Sequence, residues 1–307
     1  AWKTKVVWRS QNIATIVRSE APKVATEYQF LLAKELKAVD GTIIPTKELK
    51  SVSSEPFQIV RSVRNGSVRA GESVLMFNDN VSPTAAAPFF QFVSPQTDEQ
   101  KEQIIAARTR KATWGDLRSR YYYQPSWQER FTNQNRRYGN PTPEPTEIIK
   151  HALVVEPVTP LPIGNLWSLR RLSSLPNAAG TATINTINHY ALGNVTPFST
   201  KLVIPVTAPD QPRAIRITFN QALSKDLKSD DFLEHLSFKD PIKCRRATFD
   251  YRRSSVTLRG DFNKRDSYRV TLSNSLFSAE RLALDKPIIT DLKFTRLAPK
   301  ILLPSWD

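Results

Sequence analysis

One pattern, present three times, constrains the fold of this chain more than any other feature. It runs Tyr28-Gln-Phe30, then Leu36, then Asp40-Gly41; Trp167-Ser-Leu169, then Leu175, then Ala179-Gly180; and Tyr268-Arg-Val270, then Leu276, then Glu280-Arg281. The spacing from aromatic to leucine is the same in all three copies. On a strand, the aromatic and the residue two positions on share a face. A turn follows, with Gly supplying a positive φ in two of the copies. A closing strand is expected next, around Phe57-Gln-Ile59, Phe198-Ser-Thr-Lys-Leu202 and Leu292-Lys-Phe294. Self-similarity of this kind restricts the chain to a repeated β-architecture.

A second pattern opens the later two copies. Val74-Leu-Met-Phe77-Asn78, then Val81-Ser82, matches Ile217-Thr-Phe219-Asn220, then Leu223-Ser224. A strand ends at the Phe, Asn starts a turn, and an apolar residue tucks back under it. Phe89 and Phe92, or Phe232 and Leu236, follow as core anchors. Thr15-Ile-Val17, Leu153-Val-Val155 and Ser255-Val-Thr-Leu258 add strands at matching distances before the aromatic. Short strands with turn signals at close intervals predict a mainly β chain of tandem sandwiches. The expected domains are 1–62, 63–206 with an insertion at about 97–150, and 207–307. Breaks are expected near Ser62–Arg69 and Thr207–Pro212. The first domain lacks the Phe-Asn opening strand, which leaves backbone groups to be paired and leads us to expect sequence upstream. Within the insertion, Thr97-Asp-Glu-Gln100 reads as a helix start, and Ile104, Ala107, Trp114, Leu117 and Tyr121 fall on one helical face. The insertion is therefore expected to be helical, without sandwich strands within 98–120.

These motifs resemble the immunoglobulin-like domains of large bacterial envelope proteins. More narrowly, the Phe-Asn-x-x-apolar-Ser opening, the Tyr-x-Val-x-Leu strand and the run Phe294-Thr-Arg-Leu-Ala-Pro299-Lys-Ile-Leu-Leu-Pro304 are similar to the N-terminal domains of bacterial alpha-2-macroglobulin-like proteins. The resemblance implies a periplasmic or cell-envelope location and a parent that traps proteases. It does not bring the family's thioester, because Cys244 is followed by Arg245-Arg246-Ala247 and not by a Cys-x-Glu-Gln run.

Composition narrows the chemistry. A single cysteine excludes an intrachain disulfide and a Cys-rich metal site. The three histidines, His151, His189 and His235, lack ligand spacing, and the nine glycines form no phosphate-binding loop. No apolar run approaches the ~20 residues of a membrane helix. Lys243, Arg245 and Arg246 beside Cys244 are expected to lower its pKa, but no His adjoins it in sequence. The acidic pairs Asp98-Glu99 and Asp230-Asp231 sit where helices or turns begin, so capping is the better reading. We therefore expect no cofactor, no metal and no enzymatic activity. The net charge of +15 favours acidic partners, or else merely keeps the surface wet.

One stretch has the composition of a partner site. Arg118, Arg120, Tyr122, Trp127, Arg136 and Arg137 lie in the insertion, beside Arg108, Arg110, Lys111, Trp114 and Tyr123. Arginine with Tyr and Trp is the mix enriched at protein interfaces, and it can also stack bases and neutralise phosphates. The competing reading packs the aromatics onto their own sandwich and leaves the arginines in water. Neighbouring domains of the same polypeptide are the first expected partners, then proteases or anionic envelope components, with nucleic acid last. The sequence thus predicts a structural and interaction segment of an extracytoplasmic protease inhibitor. A surface adhesin or scaffold of the same modules, or accessory domains of a glycan-active enzyme, are the alternatives.

Overall fold

The structure, a computed structural model, describes residues 4–10, 13–18, 21–29, 36–37, 40–44, 51–98, 101–117, 123–132, 143–208, 211–240 and 242–295. The chain is mainly β and divides into two compact units, Ala1–Val195 and Thr196–Asp307.

The first unit begins with three small antiparallel pairs. β1 (Thr4–Ser10) pairs with β2 (Ile13–Arg18), β3 (Glu27–Tyr28) with β6 (Val52–Ser53), and β4 (Leu36–Lys37) with β5 (Ile43–Ile44). A complete module comes next: β7 (Ile59–Arg64), β8 (Ser73–Phe77), α1 (Pro83–Ala86), β9 (Phe90–Ser94), β10 (Gln103–Thr113), α2 (Trp127–Thr132), β11 (Ile148–Pro157), β12 (Gly164–Arg171), β13 (Leu175–Pro176), β14 (Thr183–Ile184) and β15 (Asn188–Val195). Its strand order is β15-β12-β9-β10-β11-β8-β7. The long β10 joins the two halves, pairing with β9 over 103–106 and with β11 over 107–113.

The second unit holds β16 (Thr200–Val206), β17 (Ala214–Phe219), α3 (Ser229–Glu234), β18 (Leu236–Phe238), β19 (Cys244–Phe249), β20 (Ser255–Gly260), β21 (Ser267–Leu272) and β22 (Ile288–Lys293). Its sheets run β16-β17-β20-β19 and β18-β21-β22. In the order of appearance this is A-B-E-D against C-F-G, the constant-type immunoglobulin arrangement. The same letters describe β7-β8-β11-β10 and β9-β12-β15 in the first unit. The core of the second unit is a chain of rings, Phe198, Phe219 and Phe232 at one end and Phe262, Tyr268 and Phe294 at the other. Fully burying each such ring contributes roughly 1.5–3 kcal/mol.

The repeated aromatics share a second feature. The Tyr268 hydroxyl accepts a hydrogen bond from the Arg265 backbone N–H at 2.9 Å, and the Tyr28 hydroxyl accepts one from Lys23 at 2.8 Å. The Trp167 indole donates to the Pro162 carbonyl at 3.2 Å. Each ring is an anchor whose polar tip ties down the loop before its strand, as in a tyrosine corner. Trp167 and Tyr268 are buried, whereas Tyr28 is half-buried, with only two-residue strands around it. The turn after each anchor places Gly41, Gly180 and Arg281 at φ +84, +67 and +58. Arg281 thus adopts the left-handed conformation that the other copies give to glycine.

The Phe-Asn motif does more than start a turn. Asn78 donates from Nδ2 to the Pro56 carbonyl at 2.8 Å, and its Oδ1 accepts from the Gln58 N–H at 3.0 Å. Asn220 repeats this with Pro197 at 2.7 Å and Ser199 at 2.9 Å. The residue between the two contacts is Phe57 or Phe198, whose ring lies 5.6 Å from Phe77 or 5.3 Å from Phe219. Each module therefore clasps its own incoming chain by a ring contact and a side-chain amide.

Three expectations are corrected. Gln103–Thr113 is a strand, not a helix, so sandwich strands do run within 98–120. Its exposure alternates residue by residue because it is held between β9 and β11, and this non-local pairing overrides the local helical spacing. Of the expected helical insertion, α2 is the helix among the described residues. The break expected at Thr207–Pro212 is the connection of the β16–β17 hairpin, and the division between units falls before Thr196. The boundary expected at 62/63 runs through β7.

Candidate interaction site

β8 is buried on both faces, every residue from Ser73 to Phe77. A strand reads as a continuous apolar run when both of its faces are covered. Leu75 and Phe77 face the sandwich interior, and Val74 and Met76 face outward. Val74 and Met76 pack with Ala112, Ile149, Ala152, Val154 and Leu117, with Trp114 and Tyr123 laid against them. The described parts of the connection between β10 and β11 therefore form a third layer over the A-B-E-D face of this module.

Local chemistry fixes this layer. Trp114–Asp116 is a single 3-10 turn capped by Asp116, which accepts from the Thr113 N–H at 2.7 Å and from Nη1 and Nη2 of the Arg110 guanidinium, each at 2.8 Å. The Arg110 guanidinium holds the Asp116 carboxyl below the usual carboxylate range. The Gly115 N–H donates to the Pro145 carbonyl at 2.7 Å, and the Trp114 N–H donates to that of Glu147 at 3.0 Å, closing the ends of the connection on each other. α2 starts with a reciprocal cap: the Ser126 N–H donates to Glu129 Oε2 at 2.8 Å and the Glu129 N–H to Ser126 Oγ at 3.2 Å. The run Ser126-Trp-Gln-Glu129 carries the sequence signature of that cap, and it would have located α2 in advance.

A polar cluster sits inside the layer. The Tyr123 hydroxyl donates to Glu129 Oε2 at 2.6 Å, and burial together with that carboxylate pushes the phenol above its usual pKa. His151, from β11, is buried; its Nε2 donates to the Gln124 carbonyl at 2.8 Å, and its Nδ1 lies 3.8 Å from Glu129 Oε2. The Trp114 and Tyr123 rings are 4.4 Å apart. Beside them lies a cleft of about 440 Å³ lined by Trp114, Tyr123, Glu129, Glu147, Lys150 and His151, among others. Each partner in this cluster tightens the attachment of the connection to the sheet.

Of the residues singled out for partner binding, Arg118, Arg120, Tyr122, Arg136 and Arg137 lie outside the described residues, and so does the side chain of Trp127, which is part of α2. The described cations nearby have partners. Arg108 pairs with Glu156 at 2.9 Å, Arg110 with Asp116, and Arg130 with Glu55 at 2.9 Å. The Lys111 ammonium donates to the carbonyls of Val81 and Lys150, and burial pushes its pKa down. For Trp114 and Tyr123, packing onto their own sandwich is what the structure shows.

The other candidates resolve locally. Cys244 is half-buried, its thiol directed at the Arg259 carbonyl at 3.6 Å; burial raises its pKa, the reverse of the expected lowering. The adjacent Arg245 guanidinium is turned to Asp261 at 2.8 Å. Asp231 accepts from the Lys228 N–H at 3.0 Å at the start of α3, as a cap. His235 Nδ1 meets Ser275 Oγ at 2.9 Å, a contact that fastens the end of α3 to the turn after β21. Among the described residues, no group of three His, Cys, Asp or Glu could hold a metal ion, and no helix is long and apolar enough to cross a membrane. Comparison with protein-family models and with curated proteins gave no match.

Proposed function

We propose that this chain is a structural and interaction segment of a bacterial extracytoplasmic, macroglobulin-type protease inhibitor, contributing no catalytic group. The observation that supports the reading best is the clasp at Asn78 and Asn220, repeated at the start of two successive modules. A clasp that closes each module on its own incoming strand suits a chain of tandem sandwiches, the kind of framework from which a trap of β-domains is built. The family named in this proposal rests on sequence resemblance alone, including that at Phe294-Thr-Arg-Leu-Ala-Pro299. The test uses the polypeptide translated from the complete reading frame, mixed with an endopeptidase. A trapped protease keeps its activity on small peptide substrates and loses it on protein substrates. The 307-residue chain alone should change neither activity. Unchanged protein hydrolysis in the presence of the complete polypeptide would overturn the proposal.

A further inference from the structure

The two complete modules use one face differently. Aligned through Phe77-Asn78 and Phe219-Asn220, Val74 and Met76 correspond to Arg216 and Thr218. The partner strands keep the same register. Met76 and Val74 oppose Ala152 and Val154, while Thr218 and Arg216 oppose Ser255 and Thr257. In the first unit this outward face is apolar at Val74, Met76, Ala152 and Val154 and is covered there by the module's own polypeptide. In the second unit Arg216, Arg246 and Arg259 are exposed there, and Thr257 and Thr218 stand among them half-buried. The inward neighbours Ile215, Ile217, Ala247, Val256 and Leu258 are in the core, so the alternation of the strands sends the arginines outward.

One position makes the contrast chemical. In the first unit Arg108 stands opposite Glu156, and the two form an ion pair at 2.9 Å. The same register places Arg246 opposite Arg259. Where the first module supplies a carboxylate, the second supplies another guanidinium. Directly opposed residues hold their Cβ atoms about 5 Å apart, and like charges so placed destabilise a sheet. Arg216 stands on the diagonal from Arg259, at roughly 7–8 Å. Among the described residues, none of the three arginines has an ion-pair partner. On β16, the outward Leu202 and Ile204 border the cluster.

We propose that the β17-β20-β19 face of the second unit binds an acidic polypeptide segment, whose carboxylates take the place that Glu156 fills in the first unit. Two observations select polypeptide over other polyanions. The equivalent face of the first unit is covered by polypeptide around Val74 and Met76, and the group that satisfies the exposed Arg108 at its edge is a carboxylate, Glu156. The described outward side chains of β17, β19 and β20 include no aromatic platform on which bases of a single strand could stack. Guanidiniums present fork geometry to carboxylates, and the bordering Leu202 and Ile204 offer apolar contact to the same segment.

The test uses the full chain and a fluorescent Glu-rich peptide, read by anisotropy at low salt. Arg259→Glu recreates the ion pair of the first unit in a fold that already holds one. This variant should melt at or above the wild-type temperature and bind the peptide about tenfold more weakly, the effect expected from removing a few exposed pairs. A triple variant, Arg216→Ser with Arg246→Ser and Arg259→Ser, should lose binding as well. The control, Lys225→Ser with Lys286→Ser and Lys293→Ser, removes more charge than Arg259→Glu from elsewhere on the unit and should bind within about twofold of wild type. Equal binding by Arg259→Glu and wild type overturns the proposal, as does an equal loss in the control. Tighter wild-type binding of oligo-dT or of a sulfated glycan than of the peptide overturns the choice of a polypeptide occupant.

Discussion

Replacing Asn78 by Ala tests whether the clasp organises the start of a module. The side chain is fully buried and makes two hydrogen bonds to backbone groups of the incoming chain, at 2.8 and 3.0 Å. Truncation strands the Pro56 carbonyl and the Gln58 N–H, and each buried group left without a partner costs about 1–3 kcal/mol. Pro56 and Gln58 are themselves exposed, so water can reach part of what is lost. The expected cost is therefore near the lower end, about 2 kcal/mol for the pair. For a unit of this size that corresponds to a fall of about 4–8 °C in the transition of the first unit. Asn220 is half-exposed, so Asn220→Ala should cost the second unit less, about 1 kcal/mol. Calorimetry of the full chain separates the two transitions, and amide exchange reports on Gln58 and Ser199 individually. Asn78→Asp adds a chemical control. At neutral pH its carboxylate still accepts from Gln58 but cannot donate to Pro56, and protonation in acid restores the donor. A loss below about 0.5 kcal/mol, within the scatter of ordinary surface substitutions, together with unchanged Gln58 exchange, would refute the clasp.

Tyr268→Ala should cost about 3–5 kcal/mol, as for other buried aromatics, and Tyr268→Phe about 1 kcal/mol for the lost bond to Arg265; a denaturant titration of the second unit measures both, and a loss under about 1 kcal/mol for the alanine variant would place the ring outside the core. Arg281→Gly should stabilise the second unit by up to about 1 kcal/mol, because relief of a left-handed residue outweighs the added flexibility of the unfolded chain; a lower melting temperature would contradict this. The Asp116 carboxyl is held below its unfolded value of about 3.9, so its contribution is present above that pH and is lost as pH falls through the folded value. Acid titration followed by tryptophan fluorescence should therefore show the layer at Trp114 loosening below about pH 4 in wild type, with Asp116→Asn loosened already at neutral pH; identical profiles would remove the Asp116 cap from the account.

Local sequence carried the repeat, together with its anchors and turns. The aromatic, the leucine and the turn at Gly41, Gly180 and Arg281 recur because each meets a local demand: a ring in the core, a short hairpin, and a positive φ. Val74-Leu-Met-Phe77 and Ile217-Thr-Phe219 read as one repeated strand, and the structure shows that the first is covered on both faces and the second alternates. Tertiary structure decided the rest. Gln103–Thr113 has alanines and arginines that suit a helix, and Ile104, Ala107 and Trp114 fall at helical spacing. Its partner over 107–113, β11, lies dozens of residues further along the chain, and no local window contains their hydrogen bonds. The start of each module was likewise hidden, because Pro56-Phe57 and Pro197-Phe198 acquire meaning only when Asn78 and Asn220 close on them from about twenty residues away. The opposition of Arg246 to Arg259, against Arg108 and Glu156 in the other module, is a property of register, and register is set by sheet pairing and core burial together.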